Sequence, residues 1–186
     1  MVTAMALASG TRVIAVLAIG MTAGCGSSAA GSTASGTGPP HSTFAVFSAH
    51  VVLKGEMKVT GTFTDAVTSR HETCGEYADG KVPATTLFVV PTPNDTNNVS
   101  GHSVMYTAGV PITNTDSGYH GPGMYTGASA LVSVLLIDNA SYLPGNDAAA
   151  TITVGPDGSG SLSFSGLIDV DTYAAEAGVV TWTCAG

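Results

Sequence analysis

Charge is scarce in this chain. Of its 186 residues, 10% are Asp, Glu, Lys or Arg, and only five of these are cationic. Nucleic acids and anionic lipid headgroups are bound through Lys and Arg, so neither suits the protein surface as a partner. Long apolar runs are scarce too. Val13 to Ala23 is an apolar stretch of eleven residues. A bilayer-spanning helix needs about 20, whereas a secretory signal core needs roughly 7–15. The length therefore predicts a cleaved export signal over Met1–Gly24, behind the single cation Arg12, rather than a permanent membrane helix. Cysteine is limited to Cys25, Cys74 and Cys184. An odd number in an exported chain leaves one thiol to be explained. Helix-type periodicity is sparse. Asp171 to Ala177 is the one stretch read as a turn or two of helix, with Asp171 as its cap.

The odd thiol has an explanation in its neighbours. Thr22-Ala23-Gly24-Cys25 places small residues directly before a cysteine. This resembles the lipobox of bacterial lipoproteins, in which the thiol is diacylated and the bond before it is cut. Thr22 departs from the usual Leu or Val at its position. The resemblance implies a mature chain that starts at a lipidated Cys25 and stays at the extracytoplasmic face of the cell membrane. Two acyl chains are enough for stable anchoring. The plainer alternative is an ordinary signal peptide cut near Ala23 or Ala30.

Cys25 to Ser42 follows as a linker. After Cys25 it is seventeen residues of Gly, Ser, Thr, Ala, Pro and one His, with no large apolar side chain. Such a segment cannot bury enough to offset its chain entropy, and as coil it spans roughly 20–25 Å. Its Thr33 and Thr37 are candidate O-glycosylation positions.

Thr43 to Gly186 provides 144 residues, enough for one domain with a core. All 13 acids lie after Cys25 against four cations (Lys54, Lys58, Arg70 and Lys81), which gives this part a formal charge of −9 with His neutral. Short alternating runs recur, bounded by Gly, Pro, Asn and Asp. The most regular are Lys58–Thr64, Ala150–Val154, Gly160–Leu167 and Val179–Cys184. The turn Gly155-Pro156-Asp157-Gly158 divides the second from the third. Ala130–Asp138 is the most apolar run and reads as a central strand. Together these patterns predict an all-β, antiparallel β-sandwich of about eight strands. Pro91–Gly101 and Asn114–Gly127 read as long irregular pieces. An exported location favours a disulfide between Cys74 and Cys184. Trp182 stands two residues before Cys184 on the same strand face, beside that bridge.

The end of the chain carries a second resemblance. Asp157-Gly158-Ser159, the alternation Leu162-Ser163-Phe164-Ser165-Gly166, Val170-Asp171 and Val180-Thr181-Trp182-Thr183-Cys184, behind a lipobox and a Ser/Thr/Gly linker, resemble actinobacterial surface lipoproteins of the mycobacterial 19 kDa lipoprotein antigen type. That resemblance implies a surface-exposed, antigenic lipoprotein with no catalytic residues to carry over. The region Pro91–Gly127 has no place in the pattern.

Chemistry-bearing groups are few. Gly101-His102-Ser103-Val104-Met105 approaches a nucleophile elbow but has Met105 where Gly is required, and the elbow needs a strand-to-helix turn. His102 with Met105, and His120 with Met124, are soft-metal ligand types. On a strand, however, residues three apart face opposite sides. His71, Glu72, Cys74 and Glu76 group ligand-type side chains, of which a disulfide would remove Cys74. Asp138, Asp169 and Asp171 are the carboxylates to inspect for acid–base pairs. Asn94, Asn98 and Asn139 open Asn-x-Ser/Thr triplets, idle behind a bacterial-type lipobox. The reading that follows is a non-enzymatic, membrane-anchored, monomeric surface lipoprotein that needs no cofactor or metal. Its partners would be the membrane, through its anchor, and an unknown envelope or host component. The alternatives are a carrier of a small apolar ligand or metal ion and, last, a hydrolase.

Overall fold

Alternation of side chains along β1 (Val46–Leu53) sets the pattern for the whole molecule. Phe47, Ala49, Val51 and Leu53 are buried, and the residues between them face outward. A period of two on a half-buried strand puts one face in a core and the other in solvent. The computed structural model describes residues 45–64, 73–81, 86–93, 98–112 and 118–186. These lie in the compact unit Pro39–Gly186.

The elements after β1 are β2 (Thr60–Thr64), α1 (Cys74–Ala78), β3 (Leu87–Val89), β4 (Asn98–Val99), β5 (His102–Pro111) and β6 (Gly123–Thr126). A single 3-10 turn, Gly127–Ser129, leads into β7 (Leu131–Ile137). β8 (Ala140–Val154), β9 (Gly160–Asp169) and β10 (Ala175–Ala185) complete the chain. All ten strands belong to one antiparallel sheet of order β2-β1-β10-β9-β8-β7-β5-β3, with β4 on β5 and β6 on β8. The sheet curls into a half-barrel. Ser100, just past β4, donates its hydroxyl to the Thr60 carbonyl of β2, so the two ends of the sheet meet. Among the described residues no helix is long and apolar enough to cross a membrane.

The all-β, antiparallel expectation is met, in a more continuous form. Among the described residues the strands number ten, and the core lies inside one curled sheet. Leu135, Ile137, Ile152, Leu162, Val180 and Trp182 fill it from neighbouring strands. β7 is interior, between β5 and β8, as its apolar run predicts. Two of the segments read as irregular contain strands: β4 within Pro91–Gly101, and β6 within Asn114–Gly127.

Three local readings change. β8 starts ten residues earlier than the alternation of Ala150–Val154 suggests. Its Gly145-Asn146-Asp147-Ala148 forms a bulge within the strand. Asp171 to Ala177 is not helical. Residues 171 and 172 are a turn, and β10 begins at Ala175. Asp169 caps this turn in place of Asp171, accepting the Asp171 and Thr172 amides at 2.8 and 2.7 Å. Pairing of Ala175 and Glu176 with β9 overrides the helical propensity of Ala-Ala-Glu-Ala. The helix lies elsewhere, at α1, where Thr73 accepts the Glu76 amide as its N-cap.

Cys74, the first residue of α1, is bridged to Cys184 of β10. Trp182 is buried and donates its indole N–H to the Gly158 carbonyl at 2.9 Å. Gly158 adopts φ +77°, and a Cβ there would lie 3.3 Å from the Cβ atoms of both cysteines. Trp182 thus reaches the bridge through this turn, on the face predicted for it. α1 is fastened by rings as well. Phe47, Tyr77, Phe88, Tyr119 and Tyr125 form a chain with successive centroid separations of 4.7, 4.8, 3.9 and 5.2 Å. Tyr77 also donates to the Val89 carbonyl, and Tyr119 to that of Ala78.

Candidate functional site: an apolar cleft where the sheet divides

One edge of β8 is shared by two strands. Ala140, Ser141 and Tyr142 pair with β7, while Thr151 to Val154 pair with β6. Between these ladders, Leu143 to Ala150 have no strand partner on that edge among the described residues. The β7 residues Leu131 to Val134 likewise pair with β5 alone. The sheet is therefore divided over this length.

Local sequence produces the division from both sides. On one side, Gly127 at φ +60° starts the 3-10 turn that breaks β6 from β7. On the other, four residues of β8, Gly145 to Ala148, oppose the single residue Gly166 of β9. Gly166 sits at φ +70°, and a Cβ there would lie 2.7 Å from the Asp147 carbonyl oxygen. A side chain at this position would force the bulge away.

The result is a cleft of about 330 Å³ lined by Ala130, Leu131, Val132, Pro144, Ala149 and Leu167, among others. Val132 and Leu167 belong to the core and form its floor. Leu131, in its lining, is 41% exposed. No charged side chain lines it. Asp147, in the bulge, is exposed. Lys54 lies with Ala149 and Ala150 around a neighbouring depression.

The cleft was not visible in the sequence. Its lining comes from runs of small residues, Gly127-Ala128-Ser129-Ala130 and Ala148-Ala149-Ala150.

The residues singled out for chemistry are mostly held apart. His102 and Asp138 are the exception. The His102 Nδ1 lies 2.8 Å from one Asp138 carboxylate oxygen, and the Ser103 amide donates to the other at 2.9 Å. These contacts, His102 first, hold the Asp138 carboxyl below its ordinary 3.8. Ser103 follows His102 on β5, so its side chain faces the opposite side. The stretch begins a strand rather than a strand-to-helix turn, and the elbow geometry is absent.

The Asp138 contact gives a checkable outcome. A depressed carboxylate pKa contributes stability above the unfolded value, lost as pH falls through the folded value. Carboxyl NMR should find Asp138 titrating below 3.8, and His102→Gln should bring it up toward that value. An unchanged midpoint in the variant would show that the histidine is not the cause.

The metal candidates also separate. His102 and Met105 lie three apart on β5 and face opposite sides. The His120 ring packs against the ring of Tyr125 at 5.2 Å, whereas Met124 points to the other side of β6. Cys74 is in the disulfide. Glu76 is on α1, while His71 and Glu72 lie outside the described residues, as do Cys25, Thr33, Thr37 and Asn94. Among the described residues no group of three His, Cys, Asp or Glu side chains is placed to hold a metal ion.

Backbone amides occupy the carboxylates of Asp169 and Glu176. Asp169 accepts two amides, which hold its pKa low. Glu176 is buried and accepts the amides of Gly55, Met57 and Ala177. Tyr142 sits beside them and donates to Glu56. Burial first, then the nearby Glu56, Glu176 and Asp169, pushes its hydroxyl up to about 12. Asp171 is exposed in the turn.

No protein-family model, curated protein or solved structure matches the chain.

Proposed function

We propose that the chain is an exported surface lipoprotein, anchored at the extracytoplasmic face of the cell membrane through Cys25, whose β-body works by binding rather than catalysis. The lipobox-like Thr22–Cys25 and the uncharged linker support the anchor. The resemblance to actinobacterial surface lipoproteins supports the same placement. The observation that carries the binding role is the divided sheet, with its apolar cleft open to solvent at Leu131. A mixed polar surface needs no such opening, and exposed apolar surface with a concave floor is what recognition uses.

The cleft also favours one variant of this role, a carrier for a small apolar ligand. Its volume of about 330 Å³ falls at the lower end of the roughly 300–1,000 Å³ of ligand sites.

Native mass spectrometry of protein extracted from its own membrane tests the whole reading. The expected species is a diacylated chain beginning at Cys25 that gains two hydrogens on reduction. Mass that leaves on denaturation would identify a carried ligand. A lipid-free chain with another start would overturn the anchored reading.

A further inference from the structure

We propose that the outer face of the sheet, from β2 across β1, β10, β9 and β8 to β6, is a second binding surface, and that it takes an uncharged polysaccharide. The proposal needs neither the cleft nor the lipid anchor.

The first ground is register. Strand pairing lines the outward residues up in rows. One row reads Thr62, His50, Thr181, Ser161, Thr153 and Met124 across the six strands. The next reads Thr60, Val52, Val179, Ser163, Thr151 and Thr126. Thr64, Ser48 and Thr183 begin a third. Eleven of these fifteen positions are Ser or Thr, and none is Asp, Glu, Lys or Arg. All fifteen are exposed or half-buried. Strand propensity accounts for Thr on such a face, but not for Ser48, Ser161 and Ser163. Strands lie about 4.8 Å apart, so a full row extends over about 24 Å.

The second ground is hydrogen-bonding capacity. The hydroxyls of Thr62, Thr181, Ser161, Ser163, Thr151 and Thr153 have no side-chain or backbone partner among the described residues. Each donates once and accepts twice, which matches the capacity of a sugar hydroxyl. Two shallow depressions of about 260 and 390 Å³ lie in this face. His50, Thr62 and Thr181 help to line the first, and Thr151, Ser163 and Ser165 the second. Among their lining residues Lys54 is the one Lys, Arg, Asp or Glu.

The third ground is what the rows do not suit. Nucleic acids and anionic lipids need cations, and the rows hold no Lys or Arg. Protein hot spots draw on Trp, Tyr and Arg and under-use Ser, Thr and Val, the reverse of this composition. A hydrocarbon would desolvate the hydroxyls without pairing them. An uncharged chain of hydroxyl-bearing rings pairs with them. Each hydrogen bond exchanged with water contributes little, so affinity grows with the number made in register. The occupant is therefore a chain rather than a single sugar.

The experiment measures retention of the purified full-length chain on beads carrying an uncharged mannan, glucan or galactan. At least one should retain it, equally at low and high salt, because no ion pair is involved. Free oligosaccharides of that sugar should compete better as they lengthen. Thr181→Val with Ser163→Ala removes two hydroxyls from the middle of the rows and should weaken retention by about fivefold or more. Thr181→Ser keeps the hydroxyl and should retain like the wild type. Thr107→Val, exposed on β5 and outside the rows, should change nothing. Retention that falls as salt rises would overturn the proposal in favour of an ionic contact at Lys54 or His50. Equal loss in Thr181→Val and Thr181→Ser would show that the hydroxyl is not what binds. Failure of all three polysaccharides to retain the protein would sink the surface as a glycan site.

Discussion

Replacing Cys74 and Cys184 together by alanine should lower the melting temperature by roughly 10–15 °C. The bridge joins residues 110 apart in sequence. Closing a loop of that length removes about 4–5 kcal/mol of unfolded-state entropy in the chain model. For a domain of this size each kcal/mol shifts the midpoint by about 2–4 °C. Position adds to the effect. The bridge holds α1, five residues long and too short to persist alone, against the last strand. With the bridge gone, α1 keeps its Tyr77 ring contacts and the Tyr119 hydrogen bond to Ala78. Amide exchange in α1 should therefore quicken before the sheet opens. Thermal melts followed through Trp182, with and without reductant, test both points. The reduced wild type and the double variant should melt together. A shift of less than about 3 °C would mean that the unfolded chain gains little freedom from losing the bridge.

Glu176→Ala should cost about 3–5 kcal/mol, the scale of leaving two or three backbone amides without their acceptor. The side chain is 1% exposed. One carboxylate oxygen accepts the Gly55 amide at 2.6 Å and the Ala177 amide at 3.1 Å, and the other accepts Met57 at 3.0 Å. These contacts fasten the β1–β2 turn to β10. Alanine would leave the half-buried turn amides of Gly55 and Met57 without an acceptor, and each such loss costs about 1–3 kcal/mol. Glu176→Gln keeps one acceptor oxygen and should lose about half as much. Urea titration measures both changes, and hydrogen exchange at Gly55 and Met57 locates them. Equal loss in the two variants would show that the charge matters rather than the acceptors. No loss in either would show that the turn finds water instead.

Much of the fold was legible because alternation needs only local information. In Lys58–Thr64, Gly160–Leu167 and Val179–Cys184 most buried side chains fall on alternate positions, Val59 and Phe63, Leu162 and Phe164, Val180 and Trp182, until Gly166 shifts the phase and Leu167 is buried instead. Residues with a competing signal were misread. Ala174-Ala175-Glu176-Ala177 favours helix by propensity, but pairing with β9 decides otherwise. Gly145 to Ala148 form a bulge, and the flanking strand pairs on both sides of them. The candidate site was less legible still. Asp138 and His102 were each worth inspecting, but 36 residues separate them, and only β5–β7 pairing brings them together.

By itself, the sequence determined what depends on composition and short range. The all-β class follows from alternation and turn residues. The expectation of a lipid anchor follows from the small residues before Cys25, and that of a disulfide from an oxidising compartment with two cysteines left to pair. Tertiary structure alone decided which strands are neighbours. It turned the expected layers into a single curled sheet, seated Glu176 under the β1–β2 turn and divided β7 from β8. Neighbour choice rests on the summed burial and hydrogen bonding of segments far apart in the chain. A binding cleft made from missing pairings leaves no residue pattern of its own to read.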